Sequence, residues 1–590
     1  MAIERAAIYH RTDSEYAYLY HDKVVHIRLR TGKNNVKSVE LVWGDPYLVH
    51  LSQYTQKSSM RLLASTAEHD YWQVEVTPEF HRLHYYFVLT GHHAECLAYT
   101  EMGFTAVDSP LLAESSAYFK MPYLHVSDSF SAPEWVKETV WYQIFPERFA
   151  NGNPTISPDN VKRWDATIAP KSNDFFGGDL QGIYDKLDYL QSLGVNGLYL
   201  CPIFEAATNH KYDTVDYYAI DRHFGDKALF KQLVDEAHAR GMRIMLDAVF
   251  NHLGYHSPQW QDVVQNGAAS RYADWFHINE FPVQSTGIRW DRDANPGSLN
   301  YETFAFAANL PKLRTTNPEV KRHLLEIATY WIREFNIDGW RLDVANEVDH
   351  QFWREFHQEV LAIKPDLYIL GEIWHTSQSW LNGDEFHAVM NYAFTHHMKH
   401  YFLQKMTTPT ELIERLNARQ LLYRRQTNEV MFNLLDSHDT ERILTTAQGD
   451  VNRVKAALTF MFLQMGVPCV YYGTEVGLIG KHDPDCRRVM PWDEAQQDRD
   501  LLKFVTALIH LRREYWRLFA EGSYRYNVMD EASKYLCLTV ENHEYLCRAW
   551  FNSGNKEQIV NIDQAVVNLS NRYEAGKLQA DGLVVTIERK

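Results

Sequence analysis

The 590-residue chain carries 59 basic against 76 acidic residues, a net charge of −17 that opposes attraction to phosphate backbones or anionic lipid and argues against nucleic-acid and membrane partners. Its length exceeds one ordinary core, and a hydrophobic fraction of 45% supplies material for several units or one large barrel with attachments. Six cysteines (Cys96, Cys201, Cys469, Cys486, Cys537, Cys547) form no CxxC pair and no metal-ligand spacing, so reduced thiols are expected. The stretch MAIERAAIYHRTDSEY has no apolar run of signal-peptide length, no other stretch is apolar enough to span a bilayer, and a cytoplasmic location is the expectation.

In chain order, residues 1–125 alternate apolar and polar positions in KVVHIRLRT, YWQVEVT and HYYFVLT, which predicts an amino-terminal β-sandwich. The Pro- and Ser-containing MPYLHVSDSFSAPEW, Met121 to Trp135, reads as a linker. Eight short apolar runs follow: VWYQIFPERF, GVNGLYLCPIF, RIMLDAVFNH, GWRLDVANE, YILGEIW, AVMNYAF, MFNLLDSHD and CVYYGTEVG. Between several of them lie segments whose apolar residues recur at three and four positions, such as ALFKQLVDEAHARG and EVKRHLLEIATYWIREFNI. Alternating strands and helices in this number predict an α/β fold, a (β/α)8 TIM barrel over residues 126–517. About sixty residues separate FNH at 250–252 from the next clear helix near Asn317, so a domain is expected inserted after the third strand, over about 253–316. YRYNVMD, YLCLTVEN and GLVVTIERK predict a β-domain over 518–590.

In such a barrel, polar groups at the carboxyl ends of the strands face one pocket. Asp247 stands near the end of run three, Asp343 on run four, Glu372 on run five, and His438 and Asp439 at the end of run seven. Converging carboxylates fit either a metal site or cleavage of a glycosidic bond, and the lack of a His/Asp cluster at metal-binding spacing favours the second. Arg341, two residues before Asp343 and on the same strand face, is expected to keep Asp343 ionised as a nucleophile. Glu372, in the apolar ILGEIW, is expected to have its pKa raised by desolvation and to serve as proton donor. Asp439 would bind sugar hydroxyls and help distort the ring, with His252 and His438 as further donors.

DAVFNH (247–252), GWRLDVANE (339–347), GEIW (371–374) and LLDSHDT (434–440) resemble the four ordered signature regions of the α-amylase family, glycoside hydrolase family 13. FFGGDLQGIYDKLDYLQSLGV, NHKYDTVDYYAIDRHFGD and DPDCRRVMPWD are similar to the neopullulanase, cyclomaltodextrinase and maltogenic amylase subgroup. The resemblance implies Asp343 as nucleophile, Glu372 as acid/base and Asp439 as transition-state stabiliser. It implies that Tyr212 stacks on the sugar at the cleavage site, that His252, Arg341 and His438 bind it, that Asp483 and Arg487 hold the non-reducing end, and that Trp374, Phe304 and Glu347 lie on the leaving-group side. LPKLRT at 310–315 and Cys201 depart from the family pattern and bear on substrate preference.

The activity implied is hydrolysis, with retention, of α-1,4 bonds in cyclomaltodextrins, maltooligosaccharides and pullulan, together with glycosyl transfer. The alternatives are an α-glucan enzyme of another linkage specificity (α-1,6 or isomerising) and a catalytically silent glucan-binding protein. The resemblance also implies a homodimer in which the amino-terminal domain of one chain covers the active-site mouth of the other. Asn151, Asn153, Gly177 and Asp179 resemble part of a subgroup calcium site. Asn153, Ile156 and Ser157 stand where two carboxylates and an amide would be, although Asp159 or Asp174 would compensate if the loop bent towards the site. No cofactor is expected to be required, and the calcium site is expected to be weak or empty.

Overall fold

The computed structural model describes residues 2–51, 55–93, 95–284, 298–562 and 565–590. The chain divides into two compact units, one of residues 1–131 with 407–428 and one of 132–406 with 429–590.

The first unit is built on antiparallel strands whose neighbours run Ala17–His21, Val24–Gly32, His69–Val76, Gln56–Ser65, Val36–Gly44, His84–Gly91, Cys96–Thr100 and Gly103–Thr105. One strand serves two neighbours in succession. Gln56 to Met60 pairs with Val36–Gly44, then Arg61 to Ser65 pairs with His69–Val76, with an irregularity between Leu62 and Ala64. A strand that changes partners at a bulge is how a sandwich turns its corner. The period-two pattern read from the sequence buries Val25, Ile27 and Leu29 on one strand and Tyr85, Phe87 and Leu89 on another in a common core. The helix Pro409–Gln420, which the sequence reading places within the barrel segment, belongs to this unit: Asn417 Nδ2 donates to Ser65 O at 2.9 Å, and Lys33 pairs with Glu414.

The second unit contains eight parallel strands: Trp141–Ile144 (β1), Gly197–Leu200 (β2), Arg243–Ala248 (β3), Gly339–Leu342 (β4), Tyr368–Gly371 (β5), Ala388–Val389 (β6), Phe432–Asn433 (β7) and Val467–Tyr471 (β8). Each of the eight apolar runs supplies one. Their order is β6-β5-β4-β3-β2-β1-β8-β7, and a parallel bridge between Met390 and Phe432 joins β6 to β7 and closes the barrel. Almost every strand residue is buried, as expected where side chains face either the barrel interior or the surrounding helices, and this is why the strands read as unbroken apolar runs. Helices such as Lys227–Ala239, Pro318–Phe335 and Val451–Phe462 begin at Asp226, Asn317 and Asp450, whose side chains accept the first free backbone N–H groups.

After β3 the inserted segment forms the helix Pro258–Asn266 and a set of antiparallel bridges, His252 to Lys312, Phe276 to Leu313, Ile278 to Tyr301 and Thr303 to Pro311. Residues 285–297 of that segment lie outside the described residues. Antiparallel strands Ser523–Asp530, Tyr535–Glu541, Tyr545–Asn552, Val567–Glu574 and Lys577–Arg589 form a sheet over the carboxyl-terminal region, with Leu578 and Val584 in its core. No helix among the described residues is long and apolar enough to cross a membrane.

Candidate active site

Strand register brings the predicted residues together. Asp247 on β3 sits beside Arg341 on β4, and the fully buried guanidinium serves three carboxylates at once. Its Nη1 donates to Asp247 Oδ1 at 3.0 Å and to Asp343 Oδ1 at 2.7 Å, while Nη2 lies 2.8 Å from Glu372 Oε1 without the alignment of a hydrogen bond. Nε faces Met390 Sδ at 3.5 Å. This answers why a cation stands in an apolar strand: it is the common counter-ion of the three acids. It also corrects the expectation that Arg341 keeps Asp343 ionised, because the one cation is shared with Asp247 and Glu372. Burial pushes the Asp343 carboxyl well above the usual carboxylate range, with Arg341 pulling it back and the charges of Glu372 and Asp247 adding to the push. Asp247 is pushed up to about 6 by burial, against the pull of Arg341 and the hydroxyl of Tyr199. Asp343 and Asp247, both raised and both on one guanidinium nitrogen, therefore titrate as a pair.

The apolar surroundings expected for Glu372 are also corrected. Its side chain is buried but amply paired, since Val344 N–H donates to Oε2 at 3.0 Å and the Trp374 indole N–H to Oε1 at 3.1 Å. Val344, next to Asp343, adopts the left-handed region at φ 46°, rare for a β-branched residue, and this turn aims its amide at Glu372. Trp374 is 49% exposed and stacks on Tyr392 at 3.8 Å with an interplanar angle of 7°, giving a flat apolar platform beside the acid.

Tyr212 is held from three sides. Its hydroxyl lies 2.9 Å from Asp247 Oδ2 and 2.7 Å from His438 Nε2, and its backbone carbonyl lies 3.1 Å from His252 Nε2. Gln143 Nε2 donates to His438 Nδ1 at 2.7 Å, which leaves the ring proton on Nε2, towards Tyr212 and 3.1 Å from Asp439 Oδ2. Burial holds both imidazoles neutral, His252 at about 3 and His438 well below the usual histidine range. Both histidines are thus donors, and in this structure each faces Tyr212. Phe304 stacks on His252 at 5.5 Å.

Arg487, from the loop after β8, donates to Asp439 Oδ1 at 3.0 Å, to His438 O at 2.7 Å and pairs with Asp483 Oδ1 at 2.9 Å, so Asp439, Asp483 and Arg487 form one cluster beside the first. Glu347 lies on the turn after β4, half exposed, with its carboxylate 3.0 Å from Lys312 Nζ.

The sequence reading missed Gln143, Tyr199, Tyr392 and Lys312. Tyr199 donates to Asp247 Oδ2 at 2.7 Å, and Tyr392 meets Ser437 Oγ at 3.1 Å. The available signal was a polar atom in an otherwise apolar barrel run, the Gln of VWYQIF and the Tyr of GLYL.

The calcium-like loop does not fit a calcium ion. Asp179 accepts from the backbone N–H groups of Gly152 (3.0 Å), Asn153 (2.8 Å) and Gly182 (2.6 Å), so both its oxygens cap backbone. Asn153 Oδ1 accepts from Thr155, and Asn151 Nδ2 donates to Ser157 Oγ at 3.1 Å. Gly177 has φ 84°, and a Cβ there would fall 2.6 Å from Ser157 Oγ, so protein atoms fill that side. One buried amide oxygen, Asn151 Oδ1, lacks a partner, against the roughly six to eight oxygens calcium takes.

Comparison with known proteins identifies the family. Residues 143–517 match the model of the α-amylase catalytic domain, and residues 1–125 that of the α-amylase amino-terminal Ig-like domain. The chain is 51% identical over 571 residues to an intracellular maltogenic amylase from Bacillus subtilis, covering 97% of this chain and 95% of the relative. It is 51% identical to a cyclomaltodextrinase from Geobacillus thermopakistaniensis, covering 90% and 88%. A solved cyclomaltodextrinase superposes with a TM-score of 0.90 at 41% identity, covering 98% of this chain and 99% of that one. With catalytic and amino-terminal models matched and relatives of this identity along nearly the whole chain, the protein belongs to the α-amylase family of glycoside hydrolases.

Proposed function

We propose that the protein hydrolyses α-1,4-glucosidic bonds in cyclomaltodextrins, short maltooligosaccharides and pullulan by double displacement, and also transfers glycosyl groups to sugar acceptors. The observation that carries this reading is the Arg341 guanidinium with Asp343 and Glu372 on its two terminal nitrogens. Carboxylates that share one guanidinium support the close spacing, about 5 Å, of a covalent glycosyl mechanism over the roughly 6.5–9.5 Å that leaves room for a water.

Asp343 attacks the anomeric carbon while Glu372 protonates the departing oxygen. Burial raises the Asp343 carboxyl, so attack requires that it first give up its proton, and passing that proton to Glu372 leaves the net charge unchanged. Glu372 then removes a proton from the incoming water or sugar hydroxyl, and configuration at the anomeric carbon is restored. Tyr212 offers its ring to the sugar, Asp439 and Arg487 bind its hydroxyls, and the Trp374–Tyr392 platform receives the leaving group. Glu347 sits where an acceptor arrives and biases transfer against hydrolysis.

Product chromatography after incubation with β-cyclodextrin, pullulan and maltotriose tests the substrate range, and cleavage confined to α-1,6 bonds would favour the alternative. Proton NMR of fresh product tests retention: an initial β-anomer would refute it.

The working form is proposed to be a cytoplasmic homodimer, with the amino-terminal domain of one chain narrowing access to the site of the other. The name of the intracellular relative and the exposed rings of that domain support this, Tyr47 being 74% exposed beneath the Arg82 guanidinium at 5.3 Å. Light scattering that returned a monomer mass would refute the dimer.

A further inference from the structure

Lys312 lies outside the carboxylate cluster, yet its backbone is hydrogen-bonded on both sides. It bridges His252, its N–H donates to Glu302 O at 3.0 Å, its carbonyl accepts from His277 N at 3.3 Å, and the next amide, Leu313, donates to Asn251 O at 2.9 Å. From this fixed base the ammonium group donates to three oxygens, Asn251 Oδ1, Glu347 Oε2 at 3.0 Å and the Glu347 carbonyl at 3.1 Å.

Each contact leads inwards. Holding Asn251 Oδ1 turns the Asn251 amide nitrogen towards His252 Nδ1, 3.2 Å away, and His252 Nε2 then faces the Tyr212 carbonyl. On the other side, gripping both the carboxylate and the carbonyl of Glu347 fixes the turn that starts at Val344, whose amide donates to Glu372 and whose left-handed conformation needs an external restraint. A single cation therefore fixes the orientation of the ring proposed to bind the donor sugar, the amide that faces the proposed acid and the carboxylate proposed to meet the acceptor.

We propose that Lys312 is a positioning residue that couples the donor-sugar side of the cleavage site to its acceptor side. This rests on the glycosidase reading above. Lysine suits the role because three rotatable donors on a flexible stem satisfy three oxygens in unlike directions. Partners at one remove from reacting groups commonly alter rates by about ten- to a hundredfold, and small misplacements have similar effects.

The test compares the parent with Lys312→Met, which keeps the apolar stem, and Lys312→Arg, which keeps the charge. It reads kcat and KM on an aryl maltoside, the ratio of transfer to hydrolysis with maltotriose, and thermal unfolding. Expected for Lys312→Met is a fall in kcat of about tenfold with a smaller change in KM, and a transfer ratio altered in the same direction as in Glu347→Gln. The double variant should show no further change in ratio, and Lys312→Arg, which keeps the charge but not the three unlike donor directions, should recover only part of kcat. A melting temperature lowered in Lys312→Met with kcat and transfer ratio unchanged would make the residue merely structural and overturn the proposal. Independent, additive effects of Lys312→Met and Glu347→Gln would overturn it too. A parent inactive on every α-glucan would instead overturn the glycosidase reading and, with it, the role of Lys312.

Discussion

Replacing Asp343 with Asn should abolish turnover and stabilise the fold together, and both effects can be estimated from the Arg341 cluster. The amide keeps an oxygen to accept from Arg341 Nη1, now 2.7 Å from Asp343 Oδ1, so geometry and glucan binding should persist. Loss of the nucleophile should lower kcat by at least about 10³–10⁴-fold, or roughly 4–5.5 kcal/mol of barrier. For stability, the attraction of Asp343 to Arg341 at about 4 Å between charge centres is worth ~4 kcal/mol at an effective dielectric constant near 20. Repulsions from Glu372 and Asp247 at about 5 Å are worth ~3 kcal/mol each, so the ionised Asp343 is disfavoured by ~2 kcal/mol before any cost of dehydration. Because the folded pKa of Asp343 is raised above its unfolded value, the penalty is absent below about pH 4 and grows as pH rises through the folded value. The Asn variant should therefore melt roughly 2 °C higher than the parent at pH 8, with a smaller gap at pH 4.5. Calorimetry of both proteins at the two pH values, beside initial rates on maltotriose, is the assay. A variant retaining a few per cent of parental turnover, or one melting below the parent at pH 8, would refute the shared-counter-ion account.

Glu372→Gln should lose far more activity on a maltooligosaccharide than on an aryl maltoside with a good leaving group, and equal losses would contradict the acid role. Because Asp179 is occupied by three backbone amides, melting temperatures in EDTA and in millimolar calcium should agree within about 1 °C; a large rise with calcium would show that the ion binds here after all. In the first unit, burial holds His10 and His26 at about 3 and His84 at about 4, all depressed below the unfolded value. The stability they confer is complete above about pH 6.5 and is lost as pH falls towards 4 and below, so the melting temperature should fall over that window. A flat profile between pH 7 and 4.5 would contradict the neutral assignment.

The barrel was legible because strands buried on both faces are apolar throughout, so even β6 and β7, two residues each, left readable runs. The acids were legible because a charged residue ending such a run has few structural uses. What pairs with what was not. Lys312 and Glu347 are 35 positions apart, and nothing in LPKLRT or VANEVDH points from one to the other. The sharing of Arg341 among three acids depends on register between β3 and β4, and that is fixed by packing rather than by local pattern. Gln143 and Tyr199 hid within strands because a single polar atom barely alters the apolar signal. Nothing in the local pattern of Pro409–Gln420 points to the strand it meets at Ser65.

That helix changes how the amino-terminal unit must come into being. Its partners there, Ser65 and Lys33, are synthesised more than three hundred residues earlier, and Gln426 Nε2 returns still further to donate to Leu19 O at 2.9 Å. At about 5–20 residues per second the ribosome needs roughly 15–60 s to pass from the end of the first segment at residue 131 to residue 428. Until then the nascent sheet has no helix to cover it, which gives a chaperone a defined interval in which to act. The same connectivity means that the unit cannot be removed by cutting after residue 125. Such a truncation leaves residues 407–428 behind with the buried side chains of Leu412 and Leu416 exposed, so an exchange of this unit between relatives has to carry both pieces of chain.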